Sequence, residues 1–153
     1  MTPPTMRGTL WFVLISLPVA MLVAVGRFAV AMAVCARAVP ASPFYELGEL
    51  ALGAAMVPDA KPQFLEALER LRGPVIAWMT PMGVVACLIG GLAGGALSRD
   101  MHRSGFALVP VLMVWAVPLR SAPWTVLVLI LWVAAAVGGA MLAPRRGEDA
   151  PEE

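Results

Sequence analysis

The stretch GPVIAWMTPMGVVACLIGGLAGGALS, residues 73–98, holds 26 consecutive residues without a charge. As a helix rising 1.5 Å per residue it would reach about 39 Å, more than the roughly 30 Å of a bilayer's hydrocarbon layer. A soluble core helix has no need of such a run, so this segment decides the fold class. Within it Ala86, Gly90, Gly94 and Ser98 recur every four residues, and Cys87, Gly91 and Gly95 repeat the spacing one position along. On a helix these positions make a smooth groove. In lipid, where apolar contact between helices gains nothing over lipid contact, such grooves let backbones approach closely. The spacing predicts a packed helix but leaves open whether its partner lies in this chain or another. A phosphate-cradling loop is excluded at residues 90–95, because no strand precedes the glycines and no Lys-Ser/Thr pair follows them.

Working outward, residues 8–26 form a second uncharged run, interrupted by Arg27 and resumed from Phe28 to about Ala38. Residues 104–119 are apolar but short, about 24 Å as a helix, and contain Pro110 and Pro118. They read as a thin span or a re-entrant segment. A polar break at Arg120, Ser121 and Pro123 separates them from the apolar residues 124–143. The expected architecture is therefore all-α: a polytopic membrane helix bundle with about four transmembrane helices, at about 9–36, 74–98, 104–119 and 123–143. Residues 1–143 form a single membrane domain, and 144–153 a flexible polar tail. Arg7 ahead of an apolar run, with Ala36-Arg37-Ala38 as a small-x-small site, suggests a signal peptide. The run of 19 residues exceeds the usual 7–15, which favours a retained span.

Composition agrees. Hydrophobic residues make up 60% of the 153 and charged ones only 14%, against about 25% charged in soluble domains. Eleven basic against ten acidic residues give a net charge of +1, too even for a nucleic-acid partner. Arg7, Arg99, Arg103, Arg145 and Arg146 fall on one expected side. Arg37, Lys61, Arg70, Arg72 and Arg120 fall on the other, mostly in a long loop that weighs less in topology. The expected location is the cytoplasmic (inner) membrane, with both termini cytoplasmic. Several of the five Trp, at 11, 78, 115, 124 and 132, fall near expected span ends, as interfacial anchors do.

Residues 39–72 form a connector with a helical pattern. Ser42 before Pro43 suits an N-cap and first helical position, followed by Glu46 and Glu49 on one face, with Leu47, Leu50 and Leu52 away from them. A second helix is expected from near Asp59, with Pro62 in its first turn and a stripe of Phe64, Leu68 and Leu71. Glu66 and Arg70 stand at i, i+4 on its polar side. Such an amphipathic helix rests on the membrane surface or on neighbouring helices, or serves as a lid over a cavity.

Few residues offer chemistry. Arg27 and Thr80 are the candidates for a polar residue facing inward at mid-membrane, and an ionisable side chain such as Arg27 is costly there and binds a ligand, braces a bundle, or snorkels to the edge. Arg99, His102 and Arg103 make a basic turn suited to solvent or lipid headgroups. Cys35 and Cys87 lack ligand-type neighbours, and a lone histidine cannot build a metal site. No catalytic residue, metal or cofactor is expected, and the chain is read as no enzyme. Its expected surroundings are the lipid bilayer and other membrane subunits or its own copies.

One pattern resembles a family. Phe64-Leu65-Glu66-Ala67-Leu68, Gly73-Pro74, then Gly90-Gly91-Leu92-Ala93-Gly94-Gly95-Ala96-Leu97 and Ser98-Arg99-Asp100-Met101-His102-Arg103-Ser104-Gly105-Phe106 resembles the last helix and basic tail of the membrane substrate-binding components of energy-coupling-factor transporters. The likeness covers roughly residues 9–106. That family has about six helices, and its upstream ones have no counterpart here; Asp100 also departs from its basic tail. Residues 107–143 faintly resemble the opening helices of the coupling subunit of the same transporters. The resemblance implies uptake of a small solute, with the ATPase supplied by other subunits. The expected function is therefore a subunit of a small-solute transport complex of this kind, and the alternative is a non-catalytic assembly or scaffold subunit of a membrane protein complex.

Overall fold

The uncharged run around residues 73–98 folds as one helix, Arg72–Leu97, in a computed structural model that describes residues 6–56, 61–98, 102–116 and 125–144. In chain order the helices are α1 (Met6–Ala38, interrupted by a π-helical turn at Phe12–Ser16), α2 (Pro43–Met56), α3 (Lys61–Arg70), α4 (Arg72–Leu97), α5 (Leu108–Ala116, entered through a 3₁₀ turn at His102–Ala107) and α6 (Thr125–Leu142). Among the described residues there is no strand. Among the described residues three helices, α1, α4 and α6, are long and apolar enough to cross a membrane. Of the expected span at 104–119 the described part is the 3₁₀ turn and α5, which together extend about 25 Å, and residues 117–119 lie outside the described residues. Its Pro110 is tolerated because it is the third residue of α5, where an N–H has no partner inside the helix. The expected polar break at Arg120, Ser121 and Pro123, and the tail from residue 145, lie outside the described residues.

The chain divides into two compact units, one holding residues up to Gly26 and from Gly83 onward, the other Arg27–Met82. In the first, α4 is the central element. An added Cβ on Gly90 would lie 2.7 Å from the Ala20 carbonyl oxygen and 2.8 Å from the Ala24 Cβ, so α1 crosses α4 with backbones almost touching. On α4's other flank an added Cβ on Gly91 would strike the Ala136 carbonyl, and one on Gly95 would lie 2.8 Å from that of Ala140. The contact is mutual, since a Cβ on Gly139 of α6 would strike the Leu88 carbonyl. Trp132, fully buried, lays its indole across Gly83.

These contacts fix directions. Along α4 the partners Gly83, Gly91 and Gly95 meet Trp132, Ala136 and Ala140 in the same order, so α4 and α6 run parallel. Gly90 meets Ala20 and Ala24 while Leu97 meets Trp11, so α1 runs antiparallel to α4. The 3₁₀ turn and α5 run back along α4: Phe106 packs on Gly94, and Met113 reaches the Cys87 thiol, which donates to its sulfur at 3.8 Å.

The π-helical turn has a local cause. Pro18 carries no N–H, and in a regular helix its ring would press on the carbonyl four residues back, at Leu14. Widening the preceding turn relieves this, and Leu17 N–H accordingly bonds the Phe12 carbonyl, five residues back.

In the second unit Ser42 Oγ accepts from Phe44 N–H at 3.1 Å and caps α2. Gly48 lets α2 lie against the last turn of α1, where its added Cβ would sit 3.5 Å from Ala36. α3 returns against α2 with Ala67 buried. Arg70 at the end of α3 donates to the Glu46 carboxylate at the start of α2. The cross-helix pair takes the role expected for Glu66, because antiparallel packing brings the two ends together.

Candidate functional site

The small residues singled out on α4 fall on two flanks with separate partners. Ala86, Gly90, Gly91, Gly94 and Gly95 are all buried, and Ser98 is half-buried just past the helix end. Gly90 and Gly94 face Ala20 and Ala24 of α1, whereas Gly91 and Gly95 face α6. Gly83, four residues before Cys87, extends the second flank to Trp132 and was available to the same i, i+4 reasoning. The partner of the α4 groove is thus this chain itself.

The two polar residues expected within spans do not line a common site. Arg27 is exposed and forms no ion pair among the described residues. Thr80 is half-buried, and its Oγ1 donates to the Ile76 carbonyl at 2.8 Å, one turn back on its own helix. It sits beside Pro81, inside α4, where missing N–H groups and hydroxyl bonds to the preceding turn commonly accompany one another in membrane helices.

The basic turn has a structural task. Arg103 Nη1 donates to the Met141 carbonyl at 2.9 Å, bringing a cation to the negative end of α6 and filling one of its orphan acceptors. Trp11 Nε1, a neutral donor, likewise satisfies an end carbonyl of α4 by donating to Leu97 at 2.9 Å. His102 stacks on Phe12 at a centroid separation of 5.1 Å, and Phe106 meets the same ring edge-on at 5.1 Å. Gly105 admits the Phe12 ring, since a Cβ there would overlap it. Arg99 lies outside the described residues.

Among the described residues two buried polar atoms have no hydrogen-bond partner, Ser16 Oγ and His102 Nε2. Both neighbour Phe12, one along the helix and one across it. Among the described residues no three His, Cys, Asp or Glu side chains gather as metal ligands. Nothing in sequence periodicity marks the aromatic cluster, because it depends on the widened turn at Phe12–Ser16; Pro18 was the available signal.

One face of α1 points outward. Leu22 is 74% exposed, Val30 60% and Val34 52%, and Gly26, Ala29 and Ala33 between them are exposed as well. A Cβ added at Gly26 would meet nothing within 4 Å. Comparison with protein-family models, curated proteins and solved structures gives no match.

Proposed function

We propose that the chain is a non-catalytic assembly subunit of a membrane protein complex, lodged in the cytoplasmic membrane by four crossings with both termini on the cytoplasmic side. The outward face of α1 carries the reading. Gly83, Gly90, Gly91, Gly94 and Gly95 of α4 are consumed by packing within the chain, whereas the exposed Gly26, Ala29 and Ala33 present a second set of small residues along α1. Small residues on an outward helix face permit the close backbone approach that holds membrane helices together. The outward Arg27 and the self-bonded Thr80 favour this over a solute path, which needs polar groups turned inward.

The fourth crossing is supported by the parallel run of α4 and α6. Two parallel neighbours require the chain between them to return across the bilayer, and the 3₁₀ turn with α5 runs in that direction. Its described part, about 25 Å, is shorter than the hydrocarbon thickness, a difference that a locally thinned bilayer or burial among its neighbours accommodates.

The test is mild-detergent purification of the tagged chain from its membrane, with identification of what accompanies it. A stoichiometric membrane partner, lost in an Ala29→Leu/Ala33→Leu variant that keeps its helical circular dichroism, is the expected result. An ATPase and a coupling subunit among the partners would instead make the chain part of an energy-coupling-factor-like uptake complex. A solitary wild-type chain would overturn both.

A further inference from the structure

The connector helices carry an apolar surface that packing within the chain does not use. Leu52 and Met56 of α2 are 64% and 81% exposed, and Leu65 and Leu68 of α3 are 60% and 42% exposed. On α3 these two continue the arc of Phe64 and the buried Ala67, while Glu66, Glu69 and Arg70 occupy the opposite arc. The helix is therefore wider on its apolar side than α2 can cover.

Its tethers say what covers the rest. Between α1 and α2 lie only residues 39–42, which reach at most about 14 Å, and they are folded into a turn by Ser42 N–H bonding the Val39 carbonyl at 2.9 Å. Between α3 and α4 only Leu71 intervenes, and its N–H and carbonyl continue the helical ladder to Ala67 and Val75 at 2.9 and 2.8 Å. Both ends of the hairpin are thus held, by short hydrogen-bonded joints, at the ends of two helices long enough to cross a membrane. Trp78, half-buried six residues into α4, is the residue type that sits at headgroup level.

We propose that the α2–α3 hairpin is an interfacial lipid-binding element, lying in the headgroup layer with Leu52, Met56, Leu65 and Leu68 turned into the bilayer and Glu66, Glu69 and Arg70 turned to water. A hairpin tethered within a few residues of two spans has the lipid surface as its nearest apolar phase, and mixed charges on its far face suit the aqueous side. The inference rests on the membrane reading above, and its test separates the two.

Single cysteines at positions 52, 56, 65 and 68, in a background lacking Cys35 and Cys87, are labelled with a charged maleimide after reconstitution into phosphatidylcholine vesicles. Glu66→Cys reports the water-facing arc and Ile130→Cys, on the exposed face of α6, reports a lipid-facing span. The expected result is labelling at the four positions on the order of tenfold slower than at Glu66→Cys, together with quenching of a fluorophore there by lipids carrying a headgroup nitroxide. Labelling as fast as at Glu66→Cys, with Ile130→Cys still protected, overturns the hairpin's lipid contact alone. Protection in native membranes that disappears in the vesicles also overturns it and assigns the surface to a protein partner. Fast labelling at Ile130→Cys overturns the membrane reading itself.

Discussion

Ser16 is the residue at which local structure and burial conflict most sharply. A hydroxyl on a membrane helix ordinarily returns its proton to a carbonyl one turn back, as Thr80 does to Ile76. At Ser16 the corresponding carbonyl, of Phe12, is taken by Leu17 N–H through the widened turn, and the fully buried Oγ has no partner among the described residues. A buried polar group left unpaired costs about 1–3 kcal/mol, whereas alanine fills nearly the same volume at no such cost. Ser16→Ala should therefore stabilise the chain by about 1 kcal/mol. The comparison is thermal or denaturant unfolding in detergent, and a variant less stable than wild type would mean that the hydroxyl holds a partner after all. The residue scale is also where sequence was least legible. Composition identified Arg27 as the costly charge, but side-chain direction is set by which arc of α1 its neighbours occupy, and no local pattern encodes that.

At the scale of the element the small-residue periodicity carries most of the information. Gly90, Gly91, Gly94 and Gly95 were legible as packing positions because four-residue spacing on a helix is geometry, independent of the partner. What spacing could not assign was the partner of each flank, which depends on contacts far apart in sequence. Adjacent glycines on α6 show how sharply the distinction falls. A Cβ on Gly138 would meet nothing within 4 Å, whereas one on Gly139 would strike the Leu88 carbonyl, which is backbone and cannot swing away. Gly138→Ala should leave stability unchanged or raise it by about 0.5–1 kcal/mol through the lower entropy of the unfolded chain. Gly139→Ala should lower it by about 1–3 kcal/mol by forcing α4 and α6 apart. Unfolding midpoints measured side by side decide this, and equal midpoints would refute the close crossing of the two helices. The connector was legible in a similar degree: Ser42 and Pro43 marked the start of α2, but the Glu46–Arg70 pair needed the hairpin closed before it existed.

For the whole molecule the decisive quantity is the parity of crossings, and hydropathy alone leaves it ambiguous. Among the described residues three helices pass the length and apolarity requirements, which on their own would put the described ends, Met6 and Pro144, on opposite sides. Helix directions argue otherwise. α4 and α6 share a direction, α1 opposes them, and the C-terminal ends of α4 and α6 lie with the N-terminal part of α1 and the 3₁₀ turn: Trp11 bonds Leu97, and Arg103 bonds Met141. Apolar length alone does not count the segment proposed as the return crossing, part of which is a 3₁₀ turn that rises about 2.0 Å per residue and so covers more distance with fewer residues. On the proposed four crossings both ends fall on one side, and the arginines at 7, 99, 103, 145 and 146 favour the cytoplasm for that side. Fusions of a fluorescent protein or alkaline phosphatase after residue 144 and of either reporter ahead of residue 6 test this directly. Cytoplasmic fluorescence without phosphatase activity is expected at both positions, and a phosphatase reporter inserted after Met56 should be active. Opposite behaviour of the two ends would reduce the 3₁₀ turn and α5 to a re-entrant element and leave three crossings.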